Sequence, residues 1–239
     1  MDKRAYIRDE FSKIQIELSE KQAEQFEQYY EMLIAKNEVM NLTAITEFEE
    51  VVQKHFIDSV MIKEVRELGD NEKWIDVGTG AGFPGIPLKI VYPQLQVTLL
   101  DSLNKRVKFL QEVVGALGLD QVEALHGRAE EYAKKAEYRE QYDCCVSRAV
   151  ANLASLSEYC LPFVKVGGAF VPYKSGKIQE EIEAAGKAVE ILGGWIGQRK
   201  EFMLPGSDMY RCLLYIEKVK ATAKKYPRKA GMPTKEPLH

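Results

Sequence analysis

An apolar run that empties directly into a cluster of glycines sets the terms for this chain: Trp74-Ile-Asp-Val-Gly-Thr-Gly-Ala-Gly-Phe-Pro-Gly85. Glycine permits positive φ and lets backbone approach a ligand with no Cβ between them. A strand that ends this way, with a helical pattern after it, is where doubly wound sheets bind nucleotide-like ligands. The rest of the chain agrees. Short apolar runs at Trp74–Val77, Gln96–Leu100, Val122–His126, Cys144–Ser147 and Ala169–Pro172 alternate with helical patterns near Ile86–Val91, Lys105–Leu117, Ala129–Lys135, Asn152–Leu161 and Ile178–Leu192. Such alternation predicts right-handed βαβ units and a parallel sheet with helices on both faces.

Both ends depart from this pattern. Gln198–Met203 and Arg211–Val219 flank the turn-rich stretch Leu204-Pro-Gly-Ser-Asp208, which predicts a terminal antiparallel hairpin. The first ~70 residues read as helical by periodicity. Ser19-x-x-Gln22 is a capping-box pattern ahead of Phe26, Tyr30, Leu33 and Ile34. Thr46-x-x-Glu49 predicts a second box, opening a helix with Val52, Phe56, Ser59 and Val60 on one face and ending near Gly69. The expected architecture is an α/β, Rossmann-like fold of the class I methyltransferase layout. It has a mostly parallel sheet, a terminal antiparallel hairpin and an N-terminal helical extension. Three segments follow: a helical extension over 1–70 packed on the core, a cofactor-binding core over 71–220, and a basic tail over 221–239.

Composition excludes several classes. With 239 residues, 46% hydrophobic and 29% charged, the chain can bury a sizeable core. No apolar run nears the ~20 residues of a membrane span, and Met1-Asp-Lys-Arg-Ala5 does not lead into a secretion-type apolar stretch. Four cysteines without a C-x-x-C pair, and three histidines, predict neither a metal site nor a disulfide framework. A cytoplasmic monomer is the expected state. Net charge is −3, yet seven of the 33 basic residues and one of the 36 acidic ones fall in Lys218–His239, leaving 26 against 35 elsewhere. A basic tail on an acidic body suggests a polyanionic partner; a solvated end explains the count equally well.

Charge also discriminates among ligands for the glycine loop. Gly80-x-Gly82-x-x-Gly85 matches the dinucleotide fingerprint, a weak pattern on its own. A dinucleotide would bring a pyrophosphate, whereas S-adenosyl-L-methionine brings an ammonium and a sulfonium. Asp76, two residues before Gly78, is expected as a carboxylate at the loop mouth, where it favours the cationic ligand and disfavours the anionic one; its alternative use is to bond loop amides. Asp101, at the end of the second strand, can accept from both ribose hydroxyls. Gly176-Lys177 is followed by Ile178, so no P-loop is present.

Asp76–Leu88, Leu100-Asp-Ser-Leu-Asn-Lys-Arg-Val-Lys-Phe-Leu110 and Ser147-Arg-Ala-Val-Ala151 resemble the RsmG (GidB) family. So do Lys54-His-Phe-Ile-Asp-Ser59 and Tyr226-Pro-Arg-Lys-Ala-Gly-Met-Pro-Thr-Lys-Glu-Pro-Leu238. The likeness spans nearly the whole chain. It implies a bacterial cytoplasmic enzyme that methylates N7 of one guanine in 16S ribosomal RNA, with 16S rRNA or the small ribosomal subunit as partner. Carried over to this sequence, the family's cofactor contacts fall on Gly78, Phe83, Ala129, Glu130 and Arg148; Asp76, Gly80 and Asp101 are added from the loop and ribose arguments. Arg148 is expected to meet the cofactor carboxylate or an RNA phosphate, since a cation beside a sulfonium is repelled; a surface ion pair is its bland alternative.

The implied target shapes the remaining readings. Guanine N7 is a free lone pair, so no general base is required and no catalytic acid or base is assigned. Catalysis should come from in-line alignment and proximity. His55, Asp58 and Ser59 imitate a hydrolytic triad but lack separate orienting elements and an oxyanion hole; packing, or pocket lining by His55, is expected instead. Cys144 and Cys145 lie inside an apolar strand and read as buried. No Asn/Asp-Pro-Pro-Tyr signature follows the fourth strand, which disfavours an exocyclic amino target. RNA contact is expected from Lys224, Lys225, Arg228 and Lys229 around a stacking Tyr226, with Lys105, Arg106 and Lys108 as a second cluster. A small-molecule methyltransferase, an inactive RNA-binding assembly factor and a nicotinamide dehydrogenase remain the competing functions.

Overall fold

Strands β1 (Lys73–Val77), β2 (Gln96–Asp101), β3 (Val122–His126), β4 (Tyr142–Arg148), β5 (Val164–Lys174), β6 (Gly194–Met203) and β7 (Tyr210–Lys218) form one sheet in the order β3-β2-β1-β4-β5-β7-β6. The computed structural model describes residues 2–148, 151–176 and 178–239. Ala149 and Val150 of the Ser147–Ala151 motif, and Lys177, lie outside the described residues. The first five strands pair in parallel, and β7 pairs antiparallel with both β5 and β6. The expected mixed sheet with its terminal hairpin is therefore present. Chain order reverses between β1 and β4, so the crevice at their carboxyl ends is the topological switch point.

Period-2 alternation decides which core each strand residue enters. Trp74 and its partner Cys144 face one side of the sheet; Ile75 and its partner Cys145 face the other. On the first side, α5 (Gly85–Val91) and α6 (Asn104–Ala116) share a core with α1 (Lys3–Lys13) and α2 (Glu20–Met40). On the second side lie α8 (Leu153–Cys160) and α9 (Gln179–Ile191). The Ser19–Gln22 capping box forms, and the Gln22 amide also donates to Ile90 O (2.8 Å) and Val91 O (3.1 Å). One side chain thus caps the start of α2 and satisfies the open carbonyls at the end of α5.

The segment after it departs from expectation. No second capping box forms: Glu47 stands at the N-cap of α3 (Phe48–Val51) without a side-chain bond, and Thr46 O accepts from the Tyr30 hydroxyl. The expected single helix is instead α3, a π-helical stretch Val52–Ile57, α4 (Asp58–Val60) and a 3₁₀ turn ending at Glu64. Val52, Phe56, Ser59 and Val60 are all buried, as periodicity suggested. The wider turn re-aims the intervening Lys54, His55 and Asp58, a recurrent use of π-bulges.

The tail also departs from expectation. Residues 221–239 run over the second core, carrying only the short α10 (Met232–Lys235). Tyr226 is buried in that core and cannot stack a base. Arg139 donates to the carbonyls of Thr222, Ala223 and Tyr226. Arg228 is engaged with Glu158, a fully buried carboxylate, at 2.7 Å. It is a structural ion pair, not a free RNA contact; Lys224, Lys225 and Lys229, like Lys235, remain exposed.

Candidate functional site

The glycine loop leaves β1 at Gly78, whose amide donates to Leu100 O at 2.8 Å, so the loop rises between β1 and β2. Gly80 has φ +63° and nothing within 4 Å of where a Cβ would stand, so its backbone faces open space. Gly82 has φ +110° for the opposite reason: a Cβ there would lie 2.6 Å from the Tyr29 hydroxyl and 2.5 Å from Ile86. Tyr29, on α2, donates to Ala81 O at 2.7 Å. The N-terminal extension thereby clamps the loop from behind.

Asp76 does not stand at the loop mouth. It is fully buried, and its Oδ2 accepts from the Thr79 hydroxyl (2.7 Å) and the Gly85 amide (2.8 Å). Burial pushes its carboxyl up to about 7, against the opposing pull of those two bonds. The alternative reading, a brace for loop amides, is the one the geometry carries. Asp101 is similarly buried; its Oδ2 accepts from Gly80 N (2.9 Å) and its Oδ1 from Leu103 N (2.8 Å). Arg106 comes within 3.5 Å of Oδ2. This carboxylate orients the loop and retains lone pairs beyond those bonds.

Two cavities meet at Gly78, which lines both. The narrower, about 340 Å³, lies over the ends of β1, β2 and β3 among Val77, Leu100, Ser102, Ala129 and Glu130. The wider, about 680 Å³, opens beside β4 and is bordered by Lys54, Arg106, Arg148, Lys174 and Arg211, with Asp58 its one acid among the described residues. Gly78, Ala129 and Glu130 thus fall on the narrow cavity, and Gly80, Phe83, His55 and Arg148 on the wide one. Lys224, Lys225, Arg228 and Lys229 line neither.

In the wide cavity Phe83 is the hub. His55 stacks on it with centroids 4.5 Å apart and planes at 22°, and the Arg148 guanidinium lies 5.0 Å from its centroid. Arg148 Nη1 reaches Asp58 Oδ2 at 2.9 Å, while Arg211, from β7, reaches Oδ1 at 2.8 Å. Asp58 is 2% exposed, so this is no surface ion pair. One carboxylate between two arginines leaves a net positive charge facing the cavity. Burial and the nearby guanidinium of Arg148 lower the His55 imidazole to about 3, so the ring is neutral. Thr43 Oγ1 already accepts from Ile45 N and sits 2.8 Å from His55 Nε2. His55 Nδ1 lies 3.1 Å from Lys54 O and 3.4 Å from Arg148 Nη2.

The imitation triad is not assembled. Ser59 Oγ donates to His55 O, and Asp58 pairs with arginines rather than the imidazole. Cys144 and Cys145 are fully buried, and burial pushes both thiols up, Cys144 to about 12, so neither is a nucleophile. Sequence reasoning missed Arg211 and Lys174. A legible signal for Arg211 was a lone guanidinium inside Tyr210-Arg-Cys-Leu-Leu214, an otherwise apolar strand.

A family model described as GidB, rRNA small subunit methyltransferase G, matches residues 22–202. A "Ribosomal RNA small subunit methyltransferase G" of Lachnoclostridium phytofermentans is 56% identical over 223 residues, covering 93% of this chain and 92% of that protein. One of the same name from Alkaliphilus metalliredigens is 50% identical over 238 residues, covering all of both chains. Among solved structures, a SAM-dependent methyltransferase from Aquifex aeolicus shares the fold at a TM-score of 0.52 and 21% identity, over 70% of this chain and 92% of its own. With the family model spanning the glycine loop, β1 to β5 and most of β6, and relatives aligned from end to end, this chain belongs to the GidB family of small-subunit ribosomal RNA methyltransferases.

Proposed function

We propose that this protein transfers the methyl group of S-adenosyl-L-methionine to N7 of one guanine in 16S ribosomal RNA. The observation that carries this reading is the pairing of two cavities at Gly78, one narrow and largely apolar, the other rimmed by cations. The narrow cavity suits a purine: Val77, Leu100 and Ala129 offer apolar faces; Gly80 opens on the wide cavity beside it, and its amide holds the Asp101 carboxylate, which lines neither. The residues present therefore fit the cofactor, with Gly78, Gly80, Ala129, Glu130 and Asp101 as its holders and Asp76 bracing the loop. The cofactor supplies an electrophilic methyl group when bound.

The chain's own contribution is positioning. A neutral His55 stacked on Phe83 offers an aromatic surface beside the loop; Arg148 and Arg211 share the one carboxylate of Asp58 and so keep net positive charge for the phosphates flanking a target base, whereas Lys174 is paired with Glu181. No side chain has to remove a proton before N7 reacts, in keeping with an imidazole whose basicity burial and Arg148 suppress and a Ser59 turned away. Stacking and alignment then account for rate. A small-molecule substrate would have no use for so many cations at the rim.

Among the described residues no helix is long and apolar enough to cross a membrane. We place the protein in the cytoplasm as a monomer acting on 16S rRNA or the small subunit, without a metal. The test offers total RNA, purified 16S rRNA, 30S subunits and a small-molecule extract to the enzyme with radiolabelled S-adenosyl-L-methionine. Label in 16S rRNA or its subunit is expected. Label confined to small molecules would overturn the RNA assignment and leave the cofactor standing.

A further inference from the structure

The narrow cavity has walls beyond those that the glycine loop supplies. Besides Val77, Leu100 and Ala129, it is lined by Tyr159 of α8 and by Gly231 and Thr234 of the C-terminal segment. The family model covers Tyr159 but ends at residue 202, before Gly231 and Thr234. Three bonds tie this segment down around the cavity. Gly231 N donates to Glu130 Oε1 at 2.9 Å, the Thr234 and Tyr159 hydroxyls lie 2.6 Å apart, and Ser155 Oγ donates to Pro233 O at 2.7 Å. Just before them the Arg228 guanidinium and backbone amide both engage Glu158, and Arg228 Nη2 also reaches Glu236 O at 2.7 Å. A buried carboxylate with a forked partner is a specific anchor, because separating them strands an unpaired charge.

We propose that residues 221–239 are a strap that forms the adenine-facing wall of the cofactor site, with Thr234 and Gly231 in reach of the base and the Arg228–Glu158 pair as its latch. Glu130 then serves two sides: it lines the cavity and holds Gly231 in place. The strap gives the motif Tyr226–Leu238 a role in cofactor binding that does not depend on RNA. It also explains why this basic segment spends Arg228 internally while exposing only lysines. The inference rests on the cofactor reading above.

Thr234 is exposed, so replacing it need not disturb the core. Thr234→Trp places an indole against the cavity, whereas Lys235→Trp, one residue on and lining neither the narrow nor the wide cavity, is its control. Affinity for S-adenosylhomocysteine is measured by calorimetry in wild type and both variants, with melting temperature alongside. The strap predicts at least a tenfold loss for Thr234→Trp and less than twofold for Lys235→Trp. In parallel, trypsin cleavage of wild type after Lys224, Lys225 and Lys229 is timed with and without S-adenosylhomocysteine, and the ligand should slow it at least threefold. Unchanged affinity in Thr234→Trp, or cleavage indifferent to the ligand, overturns the strap. Wild type that fails to bind S-adenosylhomocysteine at all would instead overturn the cofactor reading itself.

Discussion

Arg148, at the end of a central strand, and Asp58, on the re-aimed N-terminal segment, meet at 2.9 Å with Asp58 almost wholly out of solvent. Ninety residues of sequence separate them. The contact ties the N-terminal extension to the catalytic edge of the sheet, and Arg211 completes it from the hairpin. Asp58→Ala would leave two guanidiniums without their carboxylate, at a cost of about 3 kcal/mol. Denaturant unfolding should show that loss. Adding Arg148→Ala should recover part of it, because the two changes share one interaction. Fully additive losses would mean that the pair is not coupled.

Two buried groups give opposite pH dependences. Asp76 has its carboxyl raised from 3.8 to about 7, so the folded state holds its proton more tightly than the unfolded state. The stability it contributes is fully present below about pH 4 and is lost as pH rises through 7, on the order of 4 kcal/mol at most. His55 is lowered from 6.5 to about 3, so its contribution is present above pH 6.5 and lost as pH falls towards 3. Comparing unfolding of Asp76→Asn with wild type from pH 4 to 8 isolates the first: the variant should gain on wild type as pH rises. A constant difference across that range would refute the raised carboxyl.

His55 gives a direct spectroscopic expectation. Its ring should remain neutral in the folded protein, so its Cε1–H resonance should not titrate between pH 8 and 5. His55→Ala should slow methylation of RNA and leave S-adenosylhomocysteine affinity unchanged. An unchanged rate would remove His55 from the target pocket.

Tyr29 tests the clamp on the glycine loop. Tyr29→Phe keeps the packing against Phe56 and Phe83 but removes the donor to Ala81 O. Stability should fall by about 1 kcal/mol, and S-adenosylhomocysteine should bind several-fold more weakly as the loop loosens. Wild-type affinity in that variant would show that the loop holds its shape alone.

The exposed tail lysines remain candidates for RNA contact, now without Arg228. Replacing Lys224, Lys225 and Lys229 together by Ala should weaken 16S rRNA binding and reduce the slope of log affinity against log salt by about 2, if all three meet phosphates. An unaltered slope would confine RNA binding to the cavity rim.

What the sequence disclosed depended on how local the cause was. The strands, the crossover helices and the Gly78–Gly85 loop were legible because their signals are periodicity and glycine placement, both set within a few residues. The second capping box was not, because Thr46–Glu49 carries the right letters while the Val52–Ile57 turn winds wider to bring His55 and Asp58 to the sheet edge. Asp76 was read as facing the ligand; only the fold reveals Thr79 and Gly85 closing around it. Arg228 looked like a phosphate contact because its partner, Glu158, lies 70 residues away. Arg211 escaped notice for the same reason: a charge inside an apolar strand declares its purpose only once Asp58 is beside it.

The most direct measurement is the identity of the methylated atom. Wild-type enzyme is incubated with radiolabelled S-adenosyl-L-methionine and 30S subunits or 16S rRNA, and the RNA is digested to nucleosides and separated. All label should migrate as 7-methylguanosine, arising from one position in the RNA, and His55→Ala should reduce it. Label in another nucleoside, or spread over many guanines, would contradict a site that selects one base and methylates N7 without a proton acceptor.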